Sequence, residues 1–298
     1  MATKIELIKE LRKTTQASMM DCKKALEQNN DDLEKAIKWL RENGIVKSAK
    51  KLGKVAADGC IVLHSDHHKA VMVEINSQTD FVARSQELTD FAQLMISEVF
   101  KKATPTTTIE EVTQYELQGK EKVAERLALV ASKTDEKIVL RRLMVFESKT
   151  NHIFSYLHAN KRIGVILEVE GKFDEQDGKH LAMHIAANSP QFIDQDNVDQ
   201  TWLANETSII KSQAKLEVQD NPKKAAFLDK TIAGRVNKLL IDICLVNQKY
   251  LVDESKTVGQ FLKEKNSKVI HFVRFEVGEG IVKEAVDFAS EVSAQMKK

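Results

Sequence analysis

The chain has 298 residues, room for two or three compact units. Lys+Arg 45 against Asp+Glu 44 leaves a net charge of +1, so no global field recruits nucleic acid or a membrane surface. The three cysteines, Cys22, Cys60 and Cys244, are far apart and odd in number, and no apolar run reaches membrane-spanning length or resembles a signal peptide; a reducing cytoplasm is the expected home.

Three short helices are expected in the first 44 residues. Ile5, Ile8 and Leu11 form the inner stripe of the first, with Leu7 beside them; Met19, Cys22, Ala25 and Leu26 form that of the second, with Ser18 as its cap. Asn29-Asn30-Asp31 reads as a turn, and Leu33, Ala36, Ile37 and Leu40 place the third helix, which Gly44 would end. A basic linker, Lys47 to Lys54, follows and reads as a solvated connector.

From Gly59 the pattern becomes β. Cys60–His64, a turn at Ser65–His68 and Ala70–Ile75 form a hairpin whose strands are apolar on both faces, as in a sheet covered by helices. Asn76–Arg84 then forms a loop before a helix starting near Ser85 and carrying Leu88, Phe91, Ala92, Leu94 and Met95. Thr104–Thr108 reads as a loop in which Thr108 can serve as a cap, and Val123, Leu127, Val130 and Ala131 mark a further helix. A second sheet pattern starts at Lys137, with Ile138–Leu140 and Leu143–Phe146, and after it the chain repeats itself. Val62-Leu63-His64, Val71-Met72-Val73 and Glu74-Ile75 recur without a gap as Tyr156-Leu157-His158, Val165-Ile166-Leu167 and Glu168-Val169, followed by a helix with Leu181, Ile185 and Ala186. Trp202–Ile243 reads as two antiparallel helices. Their coiled-coil seam would run through Trp202, Ile209 and Leu216 with Leu203 and Ile210 alongside, against Leu228, Ile232, Val236, Leu239 and Ile243. A helix near Val258–Lys265, a strand at Val269–Val277 and a last amphipathic helix from Val282 to Val292 close the chain.

Catalytic constellations are sparse. His180 and His184 stand at i and i+4, as metal ligands do, but Leu181 occupies the place of the metalloprotease glutamate and no third ligand is evident. Phosphate-binding glycine loops and nucleophile elbows are absent from the sequence. The ordinary reading of the loop after Ile75 has Thr79 or Asp80 starting the next helix and Phe81 packing on the sheet.

Several motifs in order change that reading: Met19–Leu26, Val55–Gly59, Gln78-Thr79-Asp80-Phe81-Val82-Ala83, His180–Ala187 and Arg274–Gly280. With them the chain resembles the bacterial elongation factor Ts family, the guanine nucleotide exchange factors of elongation factor Tu. Gln16 and Ser18, where the family usually has Gly, and Arg84, where it often has Lys, are departures. The resemblance implies an α+β fold with no cofactor and no metal of its own. It would hold a ubiquitin-associated-like three-helix bundle and linker at 1–54, and core halves at 55–140 and 141–278. The second half would carry an inserted antiparallel helical hairpin at 202–243, and a C-terminal helical module would occupy 279–298. The implied partner is GDP-bound elongation factor Tu, without covalent chemistry, membrane or direct nucleic-acid contact. Thr79, Asp80, Phe81 and Val82 would enter near the partner's Mg²⁺ and dislodge it, and His184 would be a secondary partner contact. The competing classes are a ribosome- or RNA-associated adaptor, supported by the basic linker, and a hydrolase built on His180 and His184.

Overall fold

The computed structural model describes residues 4–15, 19–40, 55–119, 121–218 and 227–282. The Ser18 cap, Gly44, the basic linker and the last helix from residue 283 onward lie outside those residues.

Helices α1 (Lys4–Thr15), α2 (Met19–Gln28) and α3 (residues 33–40) share one small core of Leu11, Cys22, Ala25, Leu26, Ala36 and Leu40. Ile5 and Met19, expected on the inner face, are exposed instead. The turn before α3 is made by Asn30 and Asp31 at positive φ, which short polar side chains tolerate.

Two three-stranded antiparallel sheets form the centre of the molecule. The first has the order β1 (Asp58–Ser65), β2 (Lys69–Ser77), β3 (Val139–Glu147). Between β2 and β3 lie α4 (Asp80–Ala83), α5 (Gln86–Lys102), α6 (Ile109–Thr113) and α7 (Val123–Thr134). The second sheet holds β4 (His152–Leu157) and β5 (Ile163–Gly171), then, after a two-stranded ribbon of β6 (Lys249–Tyr250) and β7 (Asp253–Thr257), β8 (Ser267–Glu276) beside β5. Alternation decides the layering. Cys60, Val62, Val71, Val73 and Ile75 pack under α5 and α7 through Leu88, Phe91, Met95 and Val130. The intervening Ile61, Ala70 and Met72 meet Ile153, Ile166 and Phe275 of the second sheet. On that sheet's far side Val165, Leu167 and Val169 pack under α8 (Glu175–Asn188) and α11 (Val258–Glu264). The order helix, sheet, sheet, helix explains why β2 is apolar on both faces. The sheets close tightly at Gly164, where a Cβ would lie 2.6 Å from Met72 Sδ and 2.7 Å from Ile61 Cγ2.

The two sheets share a pattern of pairing, but the register is not gapless as expected from the sequence. Both central strands carry a bulge at equivalent places, Glu74/Ile75 against β3 and Glu168/Val169 against β8. In the first strands, however, His64 pairs with Val71 while Tyr156 pairs with Val165. Tyr156 is thus the counterpart of His64, not of Val62. The turn 158–162 is longer than the turn 66–68 by two residues, and a slip of two keeps every side chain on its face. The strand after Lys137 also belongs to the first sheet, as β3, so the expected division at 140/141 falls inside a strand.

The hairpin insertion is α9 (Gln200–Val218) against α10 (Leu228–Ile243). Its α10 seam is as expected, with Ile232 and Ile243 buried, but on α9 the buried residue is Ala214. Ile209 and Leu216 are 49% and 68% exposed, so the α9 seam runs on the neighbouring face, through Leu203, Ile210 and Ala214. Among the described residues no helix is long and apolar enough to cross a membrane.

One buried ion cluster joins both sheets. Glu74, on β2, is fully buried. It accepts from Arg141 Nη1 at 3.1 Å, from Arg142 Nε, from Asn76 Nδ2 at 3.0 Å and from the Gly278 N–H at 2.8 Å. Arg142 lies over the Phe275 ring, 4.1 Å from its centroid. Gly278 has φ +77 and a Cβ there would lie 2.2 Å from the Ala57 carbonyl oxygen, so glycine alone lets the chain close on Glu74.

Candidate functional site

β2 ends at Ser77, and the chain turns at once into the four-residue helix α4. Thr79 is its N-cap: Thr79 Oγ accepts from the Val82 N–H at 3.3 Å. Ser77 Oγ donates to the Thr79 carbonyl at 2.8 Å. Ser85 then caps α5, accepting from the Leu88 N–H at 3.3 Å. The ordinary reading is half correct. Thr79 does start a helix, but Phe81 does not pack on the sheet.

Val82 packs against the first core, and Phe81 is turned away from it, 83% exposed. A whole aromatic ring in water on a capped turn is an unspent apolar contact, because burial of such a ring is worth about 1.5–3 kcal/mol. Asp80 is beside it, with Arg84 Nη2 3.2 Å from its carboxylate, an exposed pair that contributes little to folding. Underneath, Glu136 accepts from the Gln78 and Thr79 N–H groups, each at 3.0 Å, and from Thr79 Oγ. The Gln78 Nε2 and Asn76 Oδ1 atoms at the root of the loop are buried without a partner. Sequence reasoning missed Glu136, whose signal is slight: one acid in the polar turn after α7.

A family model described as "Elongation factor TS" matches residues 78–279, and one described as "Elongation factor Ts, mitochondrial, N-terminal" matches residues 1–53. The chain is 72% identical to Elongation factor Ts of Mycoplasma genitalium over 298 residues, covering 100% of both chains. The chain belongs to the elongation factor Ts family. Elongation factor Ts of Mycoplasmoides gallisepticum is 46% identical over 298 residues, 100% of both chains, and that of Spiroplasma citri 40% over 294 residues, 98% of both. This family consists of translation elongation factors that act as nucleotide exchange factors for elongation factor Tu. Exchange of a bound nucleotide needs no covalent step.

The structure does not bring His184 to the surface with the loop. It is 0% exposed. The Leu251 N–H donates to Nδ1 at 3.1 Å, so Nε2 carries the proton and faces Gln248 Oε1 at 2.9 Å. Gln248 Nε2 in turn donates to the Asp242 carbonyl at 2.5 Å. Both ring nitrogens are occupied, which removes His184 as a metal ligand, and in the free chain the ring is buried rather than presented on the surface. α8 turns this residue inward beside Leu181 and Ile185, because i, i+3 and i+4 share a face. Its position is behind the exposed tip of the β6–β7 ribbon, Leu251 and Val252.

Burial lowers the His184 pKa from its ordinary 6.5, outweighing the hydrogen bond to Gln248. The folded state therefore resists protonation that the unfolded chain accepts. The stability from neutral His184 is complete above about pH 6.5 and lost as pH falls through the lower folded value. His184→Gln should show a shallower fall in melting temperature than wild type between about pH 7 and 5.5. Parallel slopes in the two melting series would contradict the assignment.

Proposed function

We propose that this chain speeds GDP release from elongation factor Tu by presenting the Thr79–Val82 loop to the region of the partner's Mg²⁺. The observation that carries this reading is the exposed Phe81 ring, set beside Asp80 on a turn fixed from below. Mg²⁺ demands near-ideal octahedral geometry and offsets the charge of the nucleotide phosphates, so modest helix shifts around it weaken the nucleotide. A ring pressed into a close-packed protein forces a discrete repacking rather than a smooth deformation. The Asp80 carboxylate adds negative charge where the metal is held. Exchange is then reciprocal coupling: whatever weakens GDP on binding is itself weakened by GDP.

The rest of the chain supplies grip. In this reading the N-terminal helices form a ubiquitin-associated-like bundle on the partner's GTPase domain, and the segment after residue 279 holds the same domain. The duplicated core, divided after β3, carries the loop in its first half and the hairpin insertion in its second. The setting is the cytoplasm, where GTP replaces GDP during translation elongation. The test is release of a fluorescent GDP analogue from elongation factor Tu, followed by stopped flow with increasing amounts of this chain. A release rate that rises and saturates supports the reading, and a rate independent of the added chain refutes it.

A further inference from the structure

Three donors at the end of β2 converge on one carboxylate. Gln78 and Thr79 give their N–H groups to Glu136 Oε2, each at 3.0 Å, and Thr79 Oγ donates to Oε1 at 2.5 Å. Glu136 comes from the connection between α7 and β3, 57 residues further along the chain. Asp135, at φ 58, reverses the chain so that Glu136 points back to the loop. On the last turn of α7, Lys133 Nζ lies 2.7 Å from Glu87 on the first turn of α5.

We propose that Glu136 is a positioning residue for nucleotide exchange, holding Asp80 and Phe81 in the shape that the partner meets. The proposal rests on the reading of the Thr79–Val82 loop given above. Phe81 is 83% exposed and takes no orientation from packing. A helix of four residues has no stability of its own, because the nucleation cost of its first turn is unrecovered. The backbone on either side of Phe81 must therefore be fixed from outside. Val82 does this on the C-terminal side by packing on the core. On the N-terminal side the fixing group is the Glu136 carboxylate, whose charge strengthens each hydrogen bond it accepts. Its bond to Thr79 Oγ also aims the oxygen lone pairs that cap Val82 N–H. A loop ordered before binding loses less entropy on binding, and a reacting group misplaced by an ångström loses much of its effect. Glu136 touches neither nucleotide nor metal; it acts through Phe81 and Asp80.

The experiment is a double-mutant cycle on the full chain, reading fluorescent GDP-analogue release from elongation factor Tu. Wild type, Phe81→Ala, Glu136→Ala, Glu136→Gln and the Phe81→Ala/Glu136→Ala pair are compared. Glu136→Ala should lower the maximal release rate about tenfold, with a smaller change in the concentration giving half of it. Glu136→Gln should recover part of the loss, because its amide oxygen still accepts an N–H. In the Phe81→Ala background Glu136→Ala should add little. Amide hydrogen exchange of the free Glu136→Ala chain should quicken over residues 78–82 while β2 stays protected. If Phe81→Ala is slow and Glu136→Ala matches wild type, the proposal falls and the loop reading stands. The same holds if Glu136→Ala costs equally with and without the Phe81 ring, or if β2 loses protection too, since the role is then general stability. If Phe81→Ala itself matches wild type, the loop reading falls and this proposal with it.

Discussion

Phe81→Ala should slow stimulated GDP release by about one to two decades and leave the fold intact. The ring is 83% exposed in the free chain, so its removal forfeits no internal packing, and the melting temperature should move within the ordinary scatter of surface substitutions. Its burial against a partner is worth about 1.5–3 kcal/mol. At about 1.4 kcal/mol per decade this gives the expected loss. The loss should appear in the maximal rate, because a contact that is formed only as the nucleotide site is distorted contributes to the transition and not to first encounter. Stopped-flow release at saturating exchange factor, paired with a thermal melt, checks both halves. A large drop in melting temperature would mean that the ring has a structural role the geometry does not contain.

Glu74→Ala should have the opposite profile: a large loss of stability, with exchange affected through the fold. Two guanidinium groups, one amide and the Gly278 N–H lose their common acceptor. Breaking a buried ion pair from one side costs about 3–5 kcal/mol, and the low end applies because both arginines retain 28% exposure. About 3 kcal/mol corresponds to a melting temperature lower by roughly 6–12 °C for a core of this size. The pH dependence has a definite sign. Burial pushes the Glu74 carboxyl upward, but hydrogen bonds from the Gly278 N–H, Asn76 and Arg142 outweigh it, and the net shift is below the ordinary 4.5. The cluster's contribution is present above about pH 4.5 and lost as pH falls through the depressed folded value. Glu74→Gln should accordingly flatten the acid limb of the stability curve below about pH 4.5, a window distinct from that of His184.

What could be read from the sequence follows the range of the interactions involved. The strands β1 and β2 were legible because alternation is a local signal and both faces are covered. The place of β3 was not, because strand pairing is settled by contacts across the whole α4–α7 excursion. The likeness of the two central strands was legible through Glu74-Ile75 and Glu168-Val169, which keep the same bulge, but a two-residue difference in turn length is silent when it preserves the faces. On α9, Ile209 and Leu216 have seam spacing and still face solvent, since a heptad pattern locates a stripe without saying which stripe meets α10. His184 illustrates the same limit for a site: its spacing from His180 suggested ligation and the family resemblance implied a partner contact, and only its neighbours, Gln248 and the Leu251 N–H, reveal a buried neutral imidazole. The Thr79–Val82 loop was legible through the family resemblance. Its exposed ring and its bracing by Glu136 required the fold, because an acceptor 57 residues away leaves no mark on the motif.

In the proposed mechanism Asp80 and Phe81 release GDP through the partner's Mg²⁺. The most direct measurement is stopped-flow release of a fluorescent GDP analogue with wild type and with Asp80→Ala/Phe81→Ala, across a Mg²⁺ titration. At millimolar Mg²⁺ the double variant should be slower by at least about a decade, and the gap should close as Mg²⁺ is chelated, because the loop then has no ion to dislodge. A double variant that matches wild type at millimolar Mg²⁺, or a gap of constant size throughout the titration, would contradict the claim.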